Sequence, residues 1–155
     1  MIIYCTRCWA ENREGARVCS KCGAPLDMND GTYVEKLVNS LGHPIPSTAV
    51  NAAWVLGRRR EGSAVEPLIR VLETRDEPGV MASAAEALGE IGDPRAVPVL
   101  TRLLEGSYLE VRLKAVEALG KIGTAEALRC VEVALGDPNA VVRRAARDAL
   151  RTLSR

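Results

Sequence analysis

The sequence predicts an all-α fold, a solenoid of stacked helical hairpins, with a small four-cysteine metal module ahead of it. Three observations carry this expectation. Four of the five cysteines fall within the first 22 residues, as two CxxC pairs. Over the rest of the chain one helical unit recurs every 31 or 32 residues. Aromatics make up only 3% of the chain and Phe is absent, although 47% of residues are hydrophobic. The core must therefore be Ala, Val, Leu and Ile, a mixture that suits close helix packing better than a β-sandwich.

The module comes first. Cys5-Thr6-Arg7-Cys8 and Cys19-Ser20-Lys21-Cys22-Gly23 give CxxC, ten residues, CxxC. Two thiolates three positions apart grip one metal only where the backbone turns tightly, and Gly23 permits that turn. Two such knuckles complete a tetrahedral four-sulfur site, which zinc accepts readily. Cys5, Cys8, Cys19 and Cys22 are thus the candidate ligands of one structural zinc ion. A redox CxxC of the thioredoxin kind needs a βαβ domain that so short a segment cannot supply. A rubredoxin-like iron site uses similar pairs, usually in a longer domain with more aromatics. Four thiolates leave no position open for water or substrate, so the site reads as structural. So short a segment has almost no core of its own, and metal binding must supply much of its folding free energy.

The repeat begins after a short polar stretch containing Gly31. Ala84-Ala85-Glu86-Ala87-Leu88-Gly89 matches Ala115-Val116-Glu117-Ala118-Leu119-Gly120, and the next step of 31 reaches Ala146-Arg147-Asp148-Ala149-Leu150. Backward, with one residue inserted, the unit appears as Ala52-Ala53-Trp54-Val55-Leu56-Gly57. A second segment repeats as Val65-Glu66-Pro67-Leu68, Ala96-Val97-Pro98-Val99-Leu100 and Ala127-Leu128-Arg129-Cys130-Val131. Each unit reads as two amphipathic helices. Val111, Ala115, Ala118, Leu119 and Ile122 share one face, while Lys114, Glu117 and Lys121 lie on the wet side, with Glu117 and Lys121 spaced to pair. Gly120 and Gly123, like Gly89 and Gly92, are expected to end their helices, and Asp93-Pro94 to open the next. One hairpin has too little apolar area to fold alone, but stacked hairpins share a continuous core. Three full units are expected, with 33–41 and 141–153 as capping half-units. The division is then 1–26 for the cysteine module, 27–31 for a linker and 32–155 for the solenoid.

Two resemblances follow from these residues. The run from Tyr4 to Leu26, with Ala10-Glu11-Asn12 and Cys22-Gly23-Ala24-Pro25-Leu26, resembles the short zinc-ribbon family; Trp9 stands where that family commonly has Gly. The run Ala85-Glu86-Ala87-Leu88-Gly89-Glu90-Ile91-Gly92-Asp93-Pro94-Arg95-Ala96-Val97-Pro98 resembles the HEAT-like repeats of the phycobilin-lyase kind, which implies a right-handed α-solenoid. Deoxyhypusine hydroxylase also resembles this repeat, and that resemblance implies a di-iron centre held by several His-Glu motifs. This chain has one histidine, His43, so the ligand set is missing. Phycobilin lyases use such repeats in longer chains without a ribbon.

Function is read from what remains. The net charge of +1 gives no global pull toward nucleic acid or anionic membrane. No apolar run approaches a membrane span or a signal peptide, and the paired cysteines suit a reducing compartment, so a cytoplasmic location is expected. Glu86, Glu117 and Asp148 recur in register, without converging histidines, and read as a solvated face. Arg70, Glu73, Arg102, Glu105 and Arg129 on the second helices are expected to line the concave surface as a mixed-charge partner-binding groove. Cys130 is expected to be buried and inert, and His43 to be a loop residue. With no nucleophile, base or open metal site in view, the expectation is a non-catalytic scaffold or adaptor that binds a protein partner, not an enzyme, with no small-molecule substrate evident. A nucleic-acid accessory role for the arginines of the last helix is the rival; an HEAT-like lyase or oxidoreductase subunit is the third reading.

Overall fold

The computed structural model describes residues 2–26 and 30–152. Of the expected linker, residues 27–29 lie outside the described residues, as does the end of the last helix at 153. The module opens with an antiparallel hairpin, β1 (Ile2–Tyr4) and β2 (Glu11–Arg13), with Ile2 opposite Arg13 and Tyr4 opposite Glu11. Eight α-helices follow among the described residues: α1 (Asp30–Leu41), α2 (Pro46–Arg58), α3 (Val65–Thr74), α4 (Pro78–Ile91), α5 (Val97–Leu103), α6 (Leu109–Ile122), α7 (Ala125–Val133) and α8 (Ala140–Thr152). The pairs α2/α3, α4/α5 and α6/α7 are the three full hairpins; α1 and α8 are the half-units. Leu56, Leu88 and Leu119 of the first helices and Leu68, Leu100 and Val131 of the second are fully buried in one shared core. Helix starts follow the sequence chemistry. Asp93 accepts the Arg95 N–H at 2.9 Å, and Thr124 accepts the Ala127 N–H at 3.2 Å, which satisfies donors that a helix start leaves open.

The glycines divide into two kinds, and this corrects the expectation that all four end helices. Gly92 and Gly123 are the helix ends, left-handed at φ 78° and 67°. Gly89 and Gly120 sit inside α4 and α6, as Gly57 does inside α2. A Cβ on Gly57 would stand 2.8 Å from the Ala87 Cα, one on Gly89 2.7 Å from the Ala118 Cα, and one on Gly120 2.8 Å from the Ala149 Cβ. Gly57 and Gly89 let the next first helix approach backbone to backbone, and Gly120 makes room for the Ala149 side chain. Each lies at the end of a stripe spaced i, i+3, i+7: Val50, Ala53 and Gly57 on α2, then Ala82, Ala85 and Gly89 on α4.

This contact sets how closely the first helices stack. The first helices α2, α4, α6 and α8 form one intimately packed row, whereas α3, α5 and α7 touch each other sparingly. We call the closely packed row of first helices inner and the other row outer; Arg70, Glu73, Arg102 and Arg129 lie on outer-row helices, with Glu105 just beyond α5.

Arginine clasps tie the units together. Arg112 donates to the carbonyls of Gly106 and Ser107 at 3.0 and 3.3 Å, and Arg143, its counterpart one unit on, donates to those of Asp137 and Pro138 at 2.7 and 2.9 Å. Arg112 also holds the Asp137 carboxylate with two bonds, at 2.8 and 3.2 Å, and both side chains are almost fully covered. The Arg112 guanidinium keeps the Asp137 carboxyl below the usual carboxylate range, against burial, with help from the Asn139 N–H.

Candidate metal centre and neighbouring surfaces

The sulfurs of Cys5, Cys8, Cys19 and Cys22 all lie within 4.8 Å of one another, with Cys5 to Cys22 at 3.7 Å and Cys8 to Cys19 at 3.5 Å. Two equivalent knuckles make this cluster. In the first, the Trp9 N–H donates to the Cys5 carbonyl at 2.8 Å and the Cys5 N–H to the Ala10 carbonyl at 3.0 Å. In the second, Gly23 donates to Cys19 at 2.9 Å and Cys19 to Ala24 at 2.8 Å. The turn needs a left-handed residue after each second cysteine: Gly23 supplies it at φ 68°, and Trp9 adopts it at φ 59°. Backbone N–H groups of Cys22 and Lys21 aimed at the Cys19 sulfur draw its thiol down to about 6, which favours the thiolate that a metal requires. Buried Asn12 braces the arrangement. Its amide donates to the Ala10 carbonyl at 2.8 Å, and its oxygen accepts from the Ser20 N–H and hydroxyl at 2.9 and 3.1 Å. The spacing, the donor type and the inward N–H groups fit one zinc ion, and the four cysteines can hold it with no coordination position to spare.

The module docks on the solenoid, which the sequence alone does not reveal. The Tyr4 N–H donates to the Tyr33 hydroxyl at 3.1 Å, and the Tyr4 ring meets Trp54 edge-on with centroids 5.2 Å apart. Trp9 packs against the helical core rather than among Cys5, Cys19 and Ala24 of the module's own interior. It is a contact to the solenoid rather than part of the module's own small core. Arg58 lies 5.7 Å over Trp54 and Arg59 5.4 Å over Tyr33, geometry that favours cation–π attraction.

The inner face carries a ladder of charges between units. Lys121 bonds Glu90 of the preceding unit at 2.6 Å, and Lys114 reaches Glu86 at 3.4 Å and Glu117 at 3.2 Å. Glu117 thus pairs with Lys114 rather than with Lys121. Between α6 and α8 the same face opens into a trough of about 600 Å³ floored by Leu113, Val141, Ala145 and Ala149. On the outer row Arg102 pairs with Glu73 at 2.9 Å, while Arg70, Glu105 and Arg129 are exposed. None of those five lines the trough. Cys130 is half-buried against the core, not fully covered. His43 sits in the turn after α1, where its Nδ1 accepts the Ile45 N–H at 3.1 Å. The cysteine set is the sole cluster of three or more metal-ligating side chains among the described residues. With a single histidine so placed, a histidine-rich iron centre does not fit this chain.

Comparison with known proteins places both parts. A zinc-ribbon domain model matches residues 4–26, and a HEAT-repeat model matches residues 34–110 and 103–151. The phycocyanobilin lyase subunit alpha of Microchaete diplosiphon is 34% identical over 110 residues, covering 66% of this chain and 37% of that protein. Human deoxyhypusine hydroxylase superposes with a TM-score of 0.67 at 25% identity, over 78% of this chain and 43% of the hydroxylase. A chain of the CpcE–CpcF complex of phycocyanin lyase from Nostoc superposes with a TM-score of 0.54 at 25% identity, over 90% of this chain and 69% of its own. The chain thus spans less than half the length of the lyase subunit and of the hydroxylase. Their nature overturns the expectation of a non-catalytic scaffold that is not an enzyme, because these relatives are enzymes or enzyme subunits. That expectation rested on an absent nucleophile and base, and such an absence decides nothing for a chain that spans only part of its relatives' length. No helix among the described residues is long and apolar enough to cross a membrane. With HEAT repeats recognised over most of its length behind a zinc ribbon, the chain belongs to the HEAT-repeat family.

Proposed function

We propose that this chain is the HEAT-repeat subunit of a lyase-type enzyme that works as an assembly of two different chains. The observation that carries the reading is the likeness to a lyase-complex chain over nine-tenths of this one, joined by the 34% identity to a lyase alpha subunit. In this reading the inner face, with its charge ladder and the trough beside α8, holds the second protein. A preformed curved surface binds with little ordering cost. Cys5, Cys8, Cys19 and Cys22 ligate zinc, which holds the ribbon (1–26) against the solenoid (32–155), and the assembly acts in the cytoplasm, where those thiols stay reduced. Reacting groups come from the second chain or from the assembled interface.

Native mass measurement of the tagged chain drawn from its own cells tests this. The expected result is a one-to-one complex with a second HEAT-repeat chain, the complex alone having lyase activity. Charge reversal on the inner face, Lys114→Glu with Lys121→Glu, is expected to break the complex, whereas Arg70→Glu with Arg102→Glu on the outer row leaves it intact. A chain that purifies alone refutes the two-chain reading, and the opposite pattern of variants refutes the inner-face placement.

A further inference from the structure

The stripe that stacks each first helix on the next changes character at α8. On α6 the three positions spaced i, i+3, i+7 are Leu113, Val116 and Gly120, with Val116 fully buried and Gly120 against Ala149. One unit later the same positions are Arg144, Arg147 and Arg151. They fall on one edge of α8, where Arg144 and Arg151 are highly exposed and share the Asp148 carboxylate at 3.9 and 3.2 Å. The edge keeps a surplus of two positive charges after that carboxylate is counted. A side chain as large as Arg at the Gly120-equivalent position forbids the close approach used by the other units. Beside this edge apolar surface is left open. Leu135 is 40% exposed, although its counterpart Leu72 is 6% exposed, and Val141 is 53% exposed.

We infer that this edge of α8 is a docking surface for another protein, one that presents a helix with carboxylates at matching spacing beside leucine-like side chains. The stripe occupies helix-packing positions, so a helix is the shape that fits it. Its charge selects acidic residues, and charge pairs held at such spacing give specificity and steering. The exposed Leu135 and Val141 favour a protein over a nucleic-acid backbone, which offers phosphates but no apolar face. Arg144 and Val141 also line the trough between α6 and α8, so the inference shares that face with the two-chain reading, and peptide binding to the isolated chain tests it without the second chain.

Fluorescence anisotropy of labelled synthetic peptides on the zinc-loaded full chain tests it. The probes are an amphipathic helix with Glu at i, i+3 and i+7 beside Leu, the same helix with Lys in place of Glu, and a duplex DNA. The acidic peptide is expected to bind, to lose about tenfold or more in affinity on the variant R144E/R147E/R151E, and to weaken with salt. That variant is expected to bind the lysine peptide instead, a gain that a misfolded chain would not show. No binding of the acidic peptide, equal binding by both proteins, or tighter binding of the duplex DNA would each overturn the inference.

Discussion

Gly89→Ala is the sharpest probe of how the array is built. Inside a helix, alanine is favoured over glycine by about 1 kcal/mol, so at an unconstrained site this change stabilises. Here the new Cβ would stand 2.7 Å from the Ala118 Cα and 2.8 Å from its Cβ, closer than carbon atoms can sit. The obstacle is backbone, which cannot rotate away, so α4 and α6 must separate. Overpacking of this kind costs about 1–3 kcal/mol, and a backbone clash belongs at the upper end. After the propensity gain is subtracted, a net loss of about 2 kcal/mol remains, a fall in Tm of roughly 4–8 °C for a chain of this size. Ala118→Gly alongside it removes the 2.8 Å clash but leaves the 2.7 Å one, so the double variant stays below wild type. Gly120→Ala should cost less, because its contact is the Ala149 side chain at 2.8 Å with the backbone at 3.7 Å. Gly79→Ala, with nothing within 4 Å, is the control and should be neutral or stabilising. Thermal denaturation followed by circular dichroism reads all four. A Gly89→Ala chain that melts at or above the wild type would refute the close inner-row packing.

Other perturbations probe the remaining joints. Chelation of the metal, or Cys19→Ser, should free about one zinc per chain and shift tryptophan emission to the red, since Trp9 and Trp54 both lie at the ribbon junction; an unchanged spectrum would mean that the ribbon does not hold them. Trp9→Gly removes a left-handed strain of roughly 1–2 kcal/mol and should keep zinc while raising hydrogen exchange around Tyr33 and Trp54; unchanged exchange would show that Trp9 does not secure the docking. Asp137→Ala leaves Arg112 covered without its carboxylate and should cost about 3 kcal/mol, read by urea unfolding. Because Asp137 is held below its unfolded value of about 3.9, its contribution is present above that pH and is lost as pH falls through the lower folded value. Asp137→Asn should therefore flatten the acid limb of the stability curve, and an identical limb would remove the pair from the account.

The hairpin order was legible because each unit carries its own punctuation. The Ala-Leu-Gly ending, the left-handed Gly92 and Gly123, and the Asp93-Pro94 opening are local signals that chemistry fixes within a few residues. The ribbon was legible for the same reason, since paired thiolates at this spacing have few other uses. What the sequence hid depends on distance. Tyr4, Tyr33 and Trp54 meet only in the folded chain, so the docking of the ribbon has no local signature. Which row stacks more closely depends on contacts between units, and Gly89 looks like a helix end until Ala118 is seen against it. The ladder could have been found: Glu90 and Lys121 are 31 residues apart, one repeat exactly in register, and opposite charges one period apart are neighbours in any stacked array. The enzyme relationship could not be read from side chains, because no reacting group announces it.

The backbone-packed inner row gives the molecule a mechanical asymmetry. Four helices pressed against one another along one side behave as a spine that resists compression and shear, because any shortening drives alanine Cβ atoms into neighbouring main chain. The sparsely touching outer helices can spread or close like the pleats of a bellows at small cost. Bending that opens or closes the outer row is thus expected to cost less than bending that compresses the inner one.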